Sequence, residues 1–334
     1  MLSGHRIRFA ALLLAAAALL LASGCSGSGA PAPATPQASV VALEEGLAPV
    51  DSGFADANGA RLYYEVYGQG EPLLLIAGFG ASHLSWASQV PVYAHEFRVI
   101  VFDNRGTGQS DFPEGVDYTI PLLADDAAAL LDALGVDTAH VFGHSMGGMI
   151  AQEMALRHPE RLRSLILGAT WPGGPHAVPP ELEALVAFVD QGADADRART
   201  VGTVVPDAPS SPGHPAEYGP EQHEGDRRYA DYPPTSPEVY AAQLRAAALH
   251  DAYDRLPDIT ARTLVLHGTD DPLVPAANGR ILAERIPGAE LVLLEGARHG
   301  YLTEKQAEVD AAVLDFLPAR PAGGRAQSEG AAGE

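Results

Sequence analysis

The amino-acid sequence predicts an α/β protein with a largely parallel sheet covered by helices on both faces. Short apolar runs alternate with segments of helical periodicity along most of the 334 residues, and this alternation is typical of a parallel sheet. A pentapeptide of the form Gly-x-Ser-x-Gly, residues 143–147, lies between one apolar run and one helical segment. A chain of this length can bury a full hydrophobic core as one large domain or two small ones.

The first predicted strand, Ala60–Tyr67, alternates between apolar and polar residues after an Asn58-Gly59 turn signal, which indicates a half-exposed strand. The later apolar runs lack this alternation, which indicates strands buried on both faces. Helices are predicted where apolar residues recur at helical spacing and glycine or proline closes the segment. The remaining strands are predicted at 72–77, 98–102, 139–142, 162–167, 263–266 and 290–294, and the helices at 121–134, 146–157, 180–190, 276–285 and 304–316.

Residues 1–24 predict an export signal of the lipoprotein type. A positively charged start precedes the apolar stretch 9–22, which is too short to span a bilayer, since that needs about 20 residues. Residues 21–25 resemble the lipobox of bacterial lipoproteins, in which the cysteine, here Cys25, is lipidated. The resemblance implies a protein lipid-anchored on the outer face of the bacterial cytoplasmic membrane. The alternative is an ordinary signal peptide and a secreted protein.

Composition divides the rest of the chain into a core, an insertion and two tails. Residues 25–52 are rich in Gly, Ser, Ala and Pro without periodicity, which predicts a flexible tether, and 318–334 predict a disordered tail. Strands and helices alternate within 53–170 and 237–317, the predicted core. Between them, 171–236 are rich in Pro, Gly and acidic residues. So long a stretch without strands predicts an inserted cap, with a disordered insertion as the alternative.

Charge and cysteine content exclude several classes of function. The net charge of −22 repels phosphate backbones, so no nucleic-acid partner is expected. A single cysteine permits neither a disulfide within the chain nor a cysteine-based zinc site, and the chain has no His-Glu-x-x-His pattern. No cofactor or metal is therefore predicted. The oligomeric state is left open by the sequence.

The pentapeptide around Ser145 predicts a nucleophilic serine. A serine between a strand and a helix lies on a sharp turn that exposes its hydroxyl at the end of a sheet, and glycine at 143 and 147 avoids crowding there. The hydroxyl needs a base to accept its proton, and the base needs an orienting carboxylate. Asp270 and Asp271 follow one predicted strand and His299 follows the last, at the sheet edge where ligands gather.

These segments resemble the α/β-hydrolase superfamily over roughly 54–317, and within it the small esterase, enol-lactonase and cofactor-free haloperoxidase-like group. The resemblance implies a mostly parallel eight-stranded sheet with helices on both faces and an inserted cap. It assigns Ser145 as the nucleophile, Asp271 as the acid and His299 as the general base. Asp270 is the rival for the acid.

The resemblance also implies an oxyanion hole formed by the backbone N–H groups of Met146 and Phe79. Relatives usually carry His-Gly before the second donor, whereas this chain has Ala77-Gly78. The donor is a backbone group, so the Phe79 N–H can still serve. What replaces the hydrogen bonds of the missing imidazole is left open by the sequence.

Three residues are candidates for the substrate pocket: His83, Trp171 and Leu273. A surface position is the alternative for His83, and core packing is the alternative for Trp171. The glycine-rich stretch 103–110 lacks the lysine and the spacing of a phosphate-binding loop, so it is interpreted as structural, with Arg105 bonded to loop carbonyls. His144 and His267 flank the predicted site and are interpreted as structural as well.

The sequence therefore predicts a serine hydrolase that cleaves a small-molecule carboxylic ester or lactone through an acyl-enzyme. A prolyl-aminopeptidase-like peptidase, a perhydrolase or haloperoxidase and a C–C bond hydrolase share the same triad and stay open. A non-catalytic ligand-binding protein on the same fold is the alternative from another class. An intact set of Ser145, Asp271 and His299 argues against that alternative.

Overall fold

The computed structural model describes residues 47–193 and 232–317 of the chain. The predicted signal peptide at 1–24, Cys25, most of the predicted tether, the centre of the predicted cap and the predicted tail at 318–334 lie outside these residues. Of the helices in the described residues, none is both long enough and apolar enough to cross a membrane.

The strands of the described residues form one sheet of eight, which is the number that the resemblance implies and one more than the strands predicted from the residues. In chain order they are β1 (Asp51–Ala57), β2 (Ala60–Tyr67), β3 (Glu71–Ile76), β4 (Phe97–Phe102), β5 (Ala139–His144), β6 (Leu162–Gly168), β7 (Thr263–Gly268) and β8 (Glu290–Leu294). Their order across the sheet is β1-β2-β4-β3-β5-β6-β7-β8. Strands β3 to β8 run parallel, and β2 is antiparallel to both of its neighbours.

Two apolar clusters cover the two faces of this sheet. Strand β3 explains why: Leu74 and Ile76 belong to one cluster and Leu73 and Leu75 to the other, so an uninterrupted apolar run fills both cores. The α-helices in the described residues are α1 (Val90–Tyr93), α2 (Ile120–Ala133), α3 (Met146–Arg157), α4 (Leu182–Ala193), α5 (Pro237–Leu249), α6 (Ala277–Arg285), α7 (Tyr301–Glu304) and α8 (Gln306–Phe316). Helices α2, α3 and α6 contribute to the first cluster, and α1, α7 and α8 to the second.

The structure corrects the sequence analysis at the edge of the sheet. Strand β1 begins at Asp51, inside the predicted tether of 25–52, because 51–57 pair along their whole length with β2. Strand β2 is mostly buried instead of half-exposed, because Leu62 and Val66 pack in the first apolar cluster and Tyr67 packs in the second.

Two helices also differ from the expectation. The predicted helix at 304–316 is two helices, α7 and α8, separated by Lys305 in a non-helical conformation. Helix α5 was not predicted. Its signal was present: Ser236 accepts a hydrogen bond from the Val239 N–H at the helix start, and Pro237 occupies the first turn.

Helix α4 and the segment before it, within the predicted insertion, lie against loops at the carboxyl end of the sheet. The Phe188 ring lies 5.1 Å from the Phe79 ring, measured between centroids. The Glu181 N–H donates to the Pro272 carbonyl at 2.9 Å. These contacts bring α4 over the loop that follows β3.

Candidate active site

Ser145 occupies the turn between β5 and α3 with an unusual backbone conformation. Its φ is 57° and its ψ is −122°, a region that costs a non-glycine residue about 1–3 kcal/mol. Two hydrogen bonds hold the turn: the Ser145 N–H donates to the Gly168 carbonyl at 2.8 Å, and the Gly148 N–H donates to the Ser145 carbonyl at 2.9 Å. The strained turn lifts the hydroxyl off the end of the sheet.

The two flanking glycines are required by space. A Cβ on Gly143 would lie 2.1 Å from the Gly147 carbonyl oxygen, and a Cβ on Gly147 would lie 2.1 Å from the Ile76 carbonyl oxygen. Both carbonyl oxygens belong to the backbone, so a side chain at either glycine would force the backbone to shift. The structure therefore agrees with the argument that side chains at these positions would crowd the turn.

The structure brings Ser145, His299 and Asp271 together, although they are far apart in the sequence. The Ser145 Oγ lies 3.1 Å from His299 Nε2, and His299 Nδ1 lies 2.7 Å from Asp271 Oδ2. A neutral His299 that donates from Nδ1 to the carboxylate leaves Nε2 to accept the serine proton. His299 is 6% exposed and Asp271 4% exposed, so water competes little for these contacts.

The Asp271 carboxylate is oriented by its own loop. Its Oδ1 accepts hydrogen bonds from the Leu273 N–H at 2.9 Å and the Val274 N–H at 2.8 Å, which leaves Oδ2 for His299. Burial acts to raise the pKa of Asp271, but the charge and hydrogen bond of His299 and the Val274 amide outweigh it, and the pKa lies below its usual value. Leu273, a predicted pocket residue, contributes here through its backbone.

Asp270, the rival for the acid, is exposed and accepts a hydrogen bond from the Thr269 hydroxyl at 3.0 Å. Its neighbour Asp271 is the carboxylate that reaches His299.

Two further histidines support the site without joining the chain of contacts. Burial lowers the pKa of His144 to about 3, with repulsion from His299 as the next cause, so its ring is neutral beside His299, 5.2 Å away between centroids. His267 Nε2 donates to the Val274 carbonyl at 2.6 Å and so fixes the loop whose amides hold Asp271. Both positions agree with the structural interpretation of these residues.

The predicted oxyanion donors belong to two segments that meet at Ser145. Met146 begins α3, and Phe79 lies in the loop after β3. A Cβ on Gly78 would lie 3.1 Å from the Ser145 Cβ, which shows how closely that loop approaches the serine. Neither the Met146 nor the Phe79 N–H donates a hydrogen bond to another residue in the described ranges.

The other predicted pocket residues have different surroundings. Trp171 is buried in the apolar cluster of α2 and α3, and its carbonyl accepts a hydrogen bond from Gln152 Nε2 at 3.0 Å. His83 is 3% exposed, so the surface alternative is wrong. Its Nδ1 lies 2.8 Å from Asp103 Oδ1 and its Nε2 lies 3.4 Å from Glu65 Oε2. Because both ring nitrogens face carboxylates, His83 has no nitrogen left to bind a substrate.

The glycine-rich loop after β4 is structural in the way the sequence analysis expects. Arg105 Nη2 donates to the Asn58 carbonyl at 3.0 Å and forms an ion pair with Asp126. Within residues 47–193 and 232–317, no cluster of three His, Cys, Asp or Glu side chains is arranged to hold a metal ion.

Sequence reasoning missed three polar residues that hold the loop after β3. Asn104 Nδ2 donates to the Ala77 carbonyl at 3.0 Å, Thr235 Oγ1 donates to the Gly80 carbonyl at 3.0 Å, and Gln243 Oε1 accepts from the Gly80 N–H at 2.7 Å. No motif signals these contacts, because each joins segments that are distant in the chain.

Residues 71–305 match the family described as alpha/beta hydrolase fold. The match spans more than half of the chain, and the eight-stranded sheet has the arrangement that this family implies. The chain therefore belongs to the α/β-hydrolase family.

Relatives within this family are hydrolases of several kinds. The chain is 33% identical over 261 residues to a putative carbamate hydrolase, RutD, of Caulobacter sp. strain K31, and the alignment covers 77% of this chain and 95% of that protein. It is similar to the enol-lactonase from Burkholderia xenovorans LB400, at 29% identity and a TM-score of 0.66, covering 79% of this chain and 99% of that structure. It is also similar to a thermophilic esterase from Thermogutta terrifontis, at 30% identity and a TM-score of 0.61. This likeness covers 80% of this chain and 98% of that structure.

Proposed function

We propose that this protein is a serine hydrolase that cleaves a small-molecule carboxylic ester or lactone. The observation that carries the proposal is the unbroken chain of contacts from the Ser145 hydroxyl through His299 to the Asp271 carboxylate. This arrangement supplies a nucleophile, a base within hydrogen-bond distance and a group that orients the base.

In the first half of the reaction, Ser145 Oγ attacks the carbonyl carbon while its proton passes to His299 Nε2. The carbonyl oxygen becomes an oxyanion and accepts hydrogen bonds from the Phe79 and Met146 amides. The bond to the leaving oxygen then breaks, and His299 returns the proton to that oxygen. The products of this half are an alcohol, or the freed hydroxyl end of an opened lactone, and an acyl-enzyme.

In the second half, a water molecule takes the place of the leaving group. His299 accepts a proton from the water, the hydroxide attacks the acyl carbon, and the bond to Ser145 Oγ breaks as the proton returns to the serine. Asp271 stays ionised throughout and stabilises the imidazolium that forms twice in the cycle. Burial raises the pKa of Asp271, but the charge of His299 and the hydrogen bond from the Val274 amide lower it by more. The resulting low pKa supports this role.

The predicted insertion at 171–236 is proposed to act as a cap over this site. The contact of Phe188 in α4 with Phe79, the proposed donor residue, supports the proposal. An aromatic pair beside the oxyanion amides favours an apolar acyl group in the substrate.

A carbamate is the second candidate substrate. It offers the same carbonyl carbon to Ser145, and the identity of 33% to a putative carbamate hydrolase favours it. The identities of 29% and 30% to an enol-lactonase and an esterase favour esters and lactones.

A substrate panel tests the proposal and separates these candidates. Turnover of p-nitrophenyl acetate and butyrate, a γ-lactone and a simple carbamate is measured for the wild type and for Ser145→Ala, together with labelling by a fluorophosphonate probe. We expect Ser145-dependent labelling and turnover of the ester or the lactone above the carbamate. A wild type that neither labels nor turns over any member of the panel would contradict the proposal and favour a non-catalytic binding protein.

We also propose that the protein is exported and anchored through a lipid on Cys25. The supporting observation is the single cysteine at the end of an apolar stretch. Cys25→Ser is expected to move the protein out of the membrane fraction. Unchanged partition of the variant would contradict the anchor, and release of both forms into the medium would favour secretion.

A further inference from the structure

Side chains from a distant segment of the chain hold the loop after β3 at Gly80, the residue that follows the proposed oxyanion donor Phe79. The Gly80 N–H donates to Gln243 Oε1 at 2.7 Å, and the Gly80 carbonyl accepts from Thr235 Oγ1 at 3.0 Å. Both partners come from α5 or the residues just before it. The peptide groups on both sides of Gly80 are therefore fixed by side chains that belong to another part of the fold.

Helix α5 also packs closely on this loop. Gly80 has a φ of 66°, and a Cβ there would lie 2.6 Å from the Tyr240 ring. Tyr240 and Gln243 are three residues apart on α5, so they share one face of the helix. The Tyr240 ring lies 5.2 Å from the Phe79 ring between centroids. One helix face thus supplies an aromatic contact and a hydrogen bond to adjacent loop residues.

The orientation of the Gln243 amide is determined by a second set of contacts. Gln243 Nε2 donates to the Tyr118 hydroxyl oxygen at 3.1 Å, and the Tyr118 hydroxyl donates its own proton to the Arg105 carbonyl at 2.9 Å. Because Tyr118 has already given its proton to a carbonyl, it can only accept from Gln243. The nitrogen of the amide must therefore face Tyr118, and the oxygen must face Gly80.

We propose that Gln243 is a positioning residue for the oxyanion hole; this rests on the proposed function of Ser145. The Gln243 oxygen fixes the peptide between Phe79 and Gly80. That peptide is the direct neighbour of the one that carries the Phe79 N–H. Holding it sets the direction in which the donor points. Gln243 is fully buried, so water does not replace its oxygen readily when the side chain is changed.

The consequence is specific to the transition state. An oxyanion donor stabilises the transition state, in which charge develops on the carbonyl oxygen, and stabilises the bound neutral substrate much less. Removal of one such donor costs on the order of 100- to 1,000-fold in kcat. Loss of the hydrogen bond that aims the donor is expected to cost less, about 10- to 100-fold in kcat, with KM near the wild-type value.

The test compares Gln243→Met with Gln243→Glu on the ester that the wild type turns over. Methionine keeps the length of the side chain and removes both hydrogen bonds. Glutamate keeps an acceptor for the Gly80 N–H in either protonation state, and as the neutral acid it can also donate to Tyr118. Inhibition by a trifluoromethyl ketone is measured alongside kcat and KM, because its adduct with Ser145 carries the oxyanion.

Ser164→Ala is the matched control. Ser164 is buried in β6, and its hydroxyl lies 2.8 Å from His140 Nδ1. This residue pair lies near the amino ends of β5 and β6, at the opposite sheet edge from Ser145. The variant is expected to lower the Tm through a lost buried hydrogen bond and to leave kcat unchanged.

We expect a lower kcat and weaker inhibition in Gln243→Met, an unchanged KM, and recovery of most of both losses in Gln243→Glu. A folded Gln243→Met with wild-type kcat and inhibition would overturn the inference while the proposed function stands. So would a Gln243→Glu variant as impaired as Gln243→Met, or equal losses of kcat in Gln243→Met and Ser164→Ala. A wild type without Ser145-dependent turnover would instead remove the proposed function and this inference with it.

Discussion

Two buried histidines of this protein show how the second partner of an imidazole decides what the ring can do. His299 has one carboxylate, Asp271, on Nδ1 and the Ser145 hydroxyl on Nε2. His83 has a carboxylate on each side, Asp103 at 2.8 Å and Glu65 at 3.4 Å. The first arrangement leaves a nitrogen to exchange a proton with a reacting group, and the second leaves none.

The electrostatics of His83 follow from the two carboxylates. Burial lowers the pKa of the ring, but the charges and hydrogen bonds of Asp103 and Glu65 outweigh it and raise the pKa to about 9. His83 therefore stays charged at neutral pH and cannot serve as a base there. His83 is thus a buried cation held by two carboxylates. Its sequence position alone does not distinguish this role from that of a residue that contacts substrate.

The carboxylates around His83 bind further donors and join separate parts of the fold. Glu65 accepts from the Tyr63 hydroxyl at 2.7 Å and from the Tyr67 hydroxyl. Asp103 accepts from the Tyr232 hydroxyl at 2.5 Å and from the His83 N–H at 2.8 Å. This network ties β2 and the loop after β4 to His83 and Tyr232. Its role is to hold these segments together.

The largest effects are expected at the His299 site. Ser145→Ala or His299→Gln should lower kcat by a factor on the order of 10⁴ or more, because each removes one member of a unit that transfers a proton. Steady-state kinetics on the best substrate of the panel measures the loss. Glu65→Gln, which alters the His83 site instead, is expected to leave turnover near that of the wild type. Comparable losses of kcat in Glu65→Gln and His299→Gln would mean that His83 and His299 do not differ in their role in turnover.

A smaller loss is expected when only the orientation of His299 is disturbed. Asp271→Asn keeps the size of the side chain and removes the charge, and it should lower kcat by roughly 10⁴, at the lower end of the losses expected for the triad. Asp270→Asn is the matched control, because that carboxylate is exposed and bonded to Thr269. The same kinetic assay applies to both variants. A loss confined to Asp270→Asn would reverse the assignment of the acid.

The residues of the Ser145 site could be predicted because each follows a strand and belongs to a short local pattern. The Gly-x-Ser-x-Gly pentapeptide identifies Ser145, and the positions of Asp271 and His299 after β7 and β8 place them at the same sheet edge. The parallel order of the strands then brings the three together. Local sequence carries enough information for this because the sheet supplies the long-range geometry.

The surroundings of His83 and Gln243 could not be predicted from local patterns. His83 meets Glu65 and Asp103 only once β2 and β4 have paired. Gln243 reaches Gly80 across a sequence separation of 163 residues. It belongs to a helix in which alanines occur on every face, so the apolar and polar faces differ little in sequence. Strand β1 was missed for a related reason: it is an edge strand whose outer residues are exposed, so its apolar pattern is weak.

The smallest effect expected concerns stability, and it follows from the raised pKa of His83. The folded pKa of His83, about 9, lies above the unfolded value near 6.5. Its contribution of about 3 kcal/mol to the free energy of unfolding is therefore fully present below pH 6.5 and is lost as the pH rises through about 9. Urea unfolding at a series of pH values from 6 to 10 measures this decline.

The other shifted histidines do not obscure that window. Burial lowers the folded pKa of each of them, so their protonation changes stability only below about pH 6.5; they are His140, His144, His250 and His267. Glu65→Gln is the matched variant, because it removes one of the two carboxylates and leaves the contact with Asp103. The decline in this variant should be smaller and should end at a lower pH. A wild-type free energy of unfolding that is level between pH 6.5 and 9, or identical curves for the two proteins, would mean that His83 is not the charged ring that its two carboxylates imply.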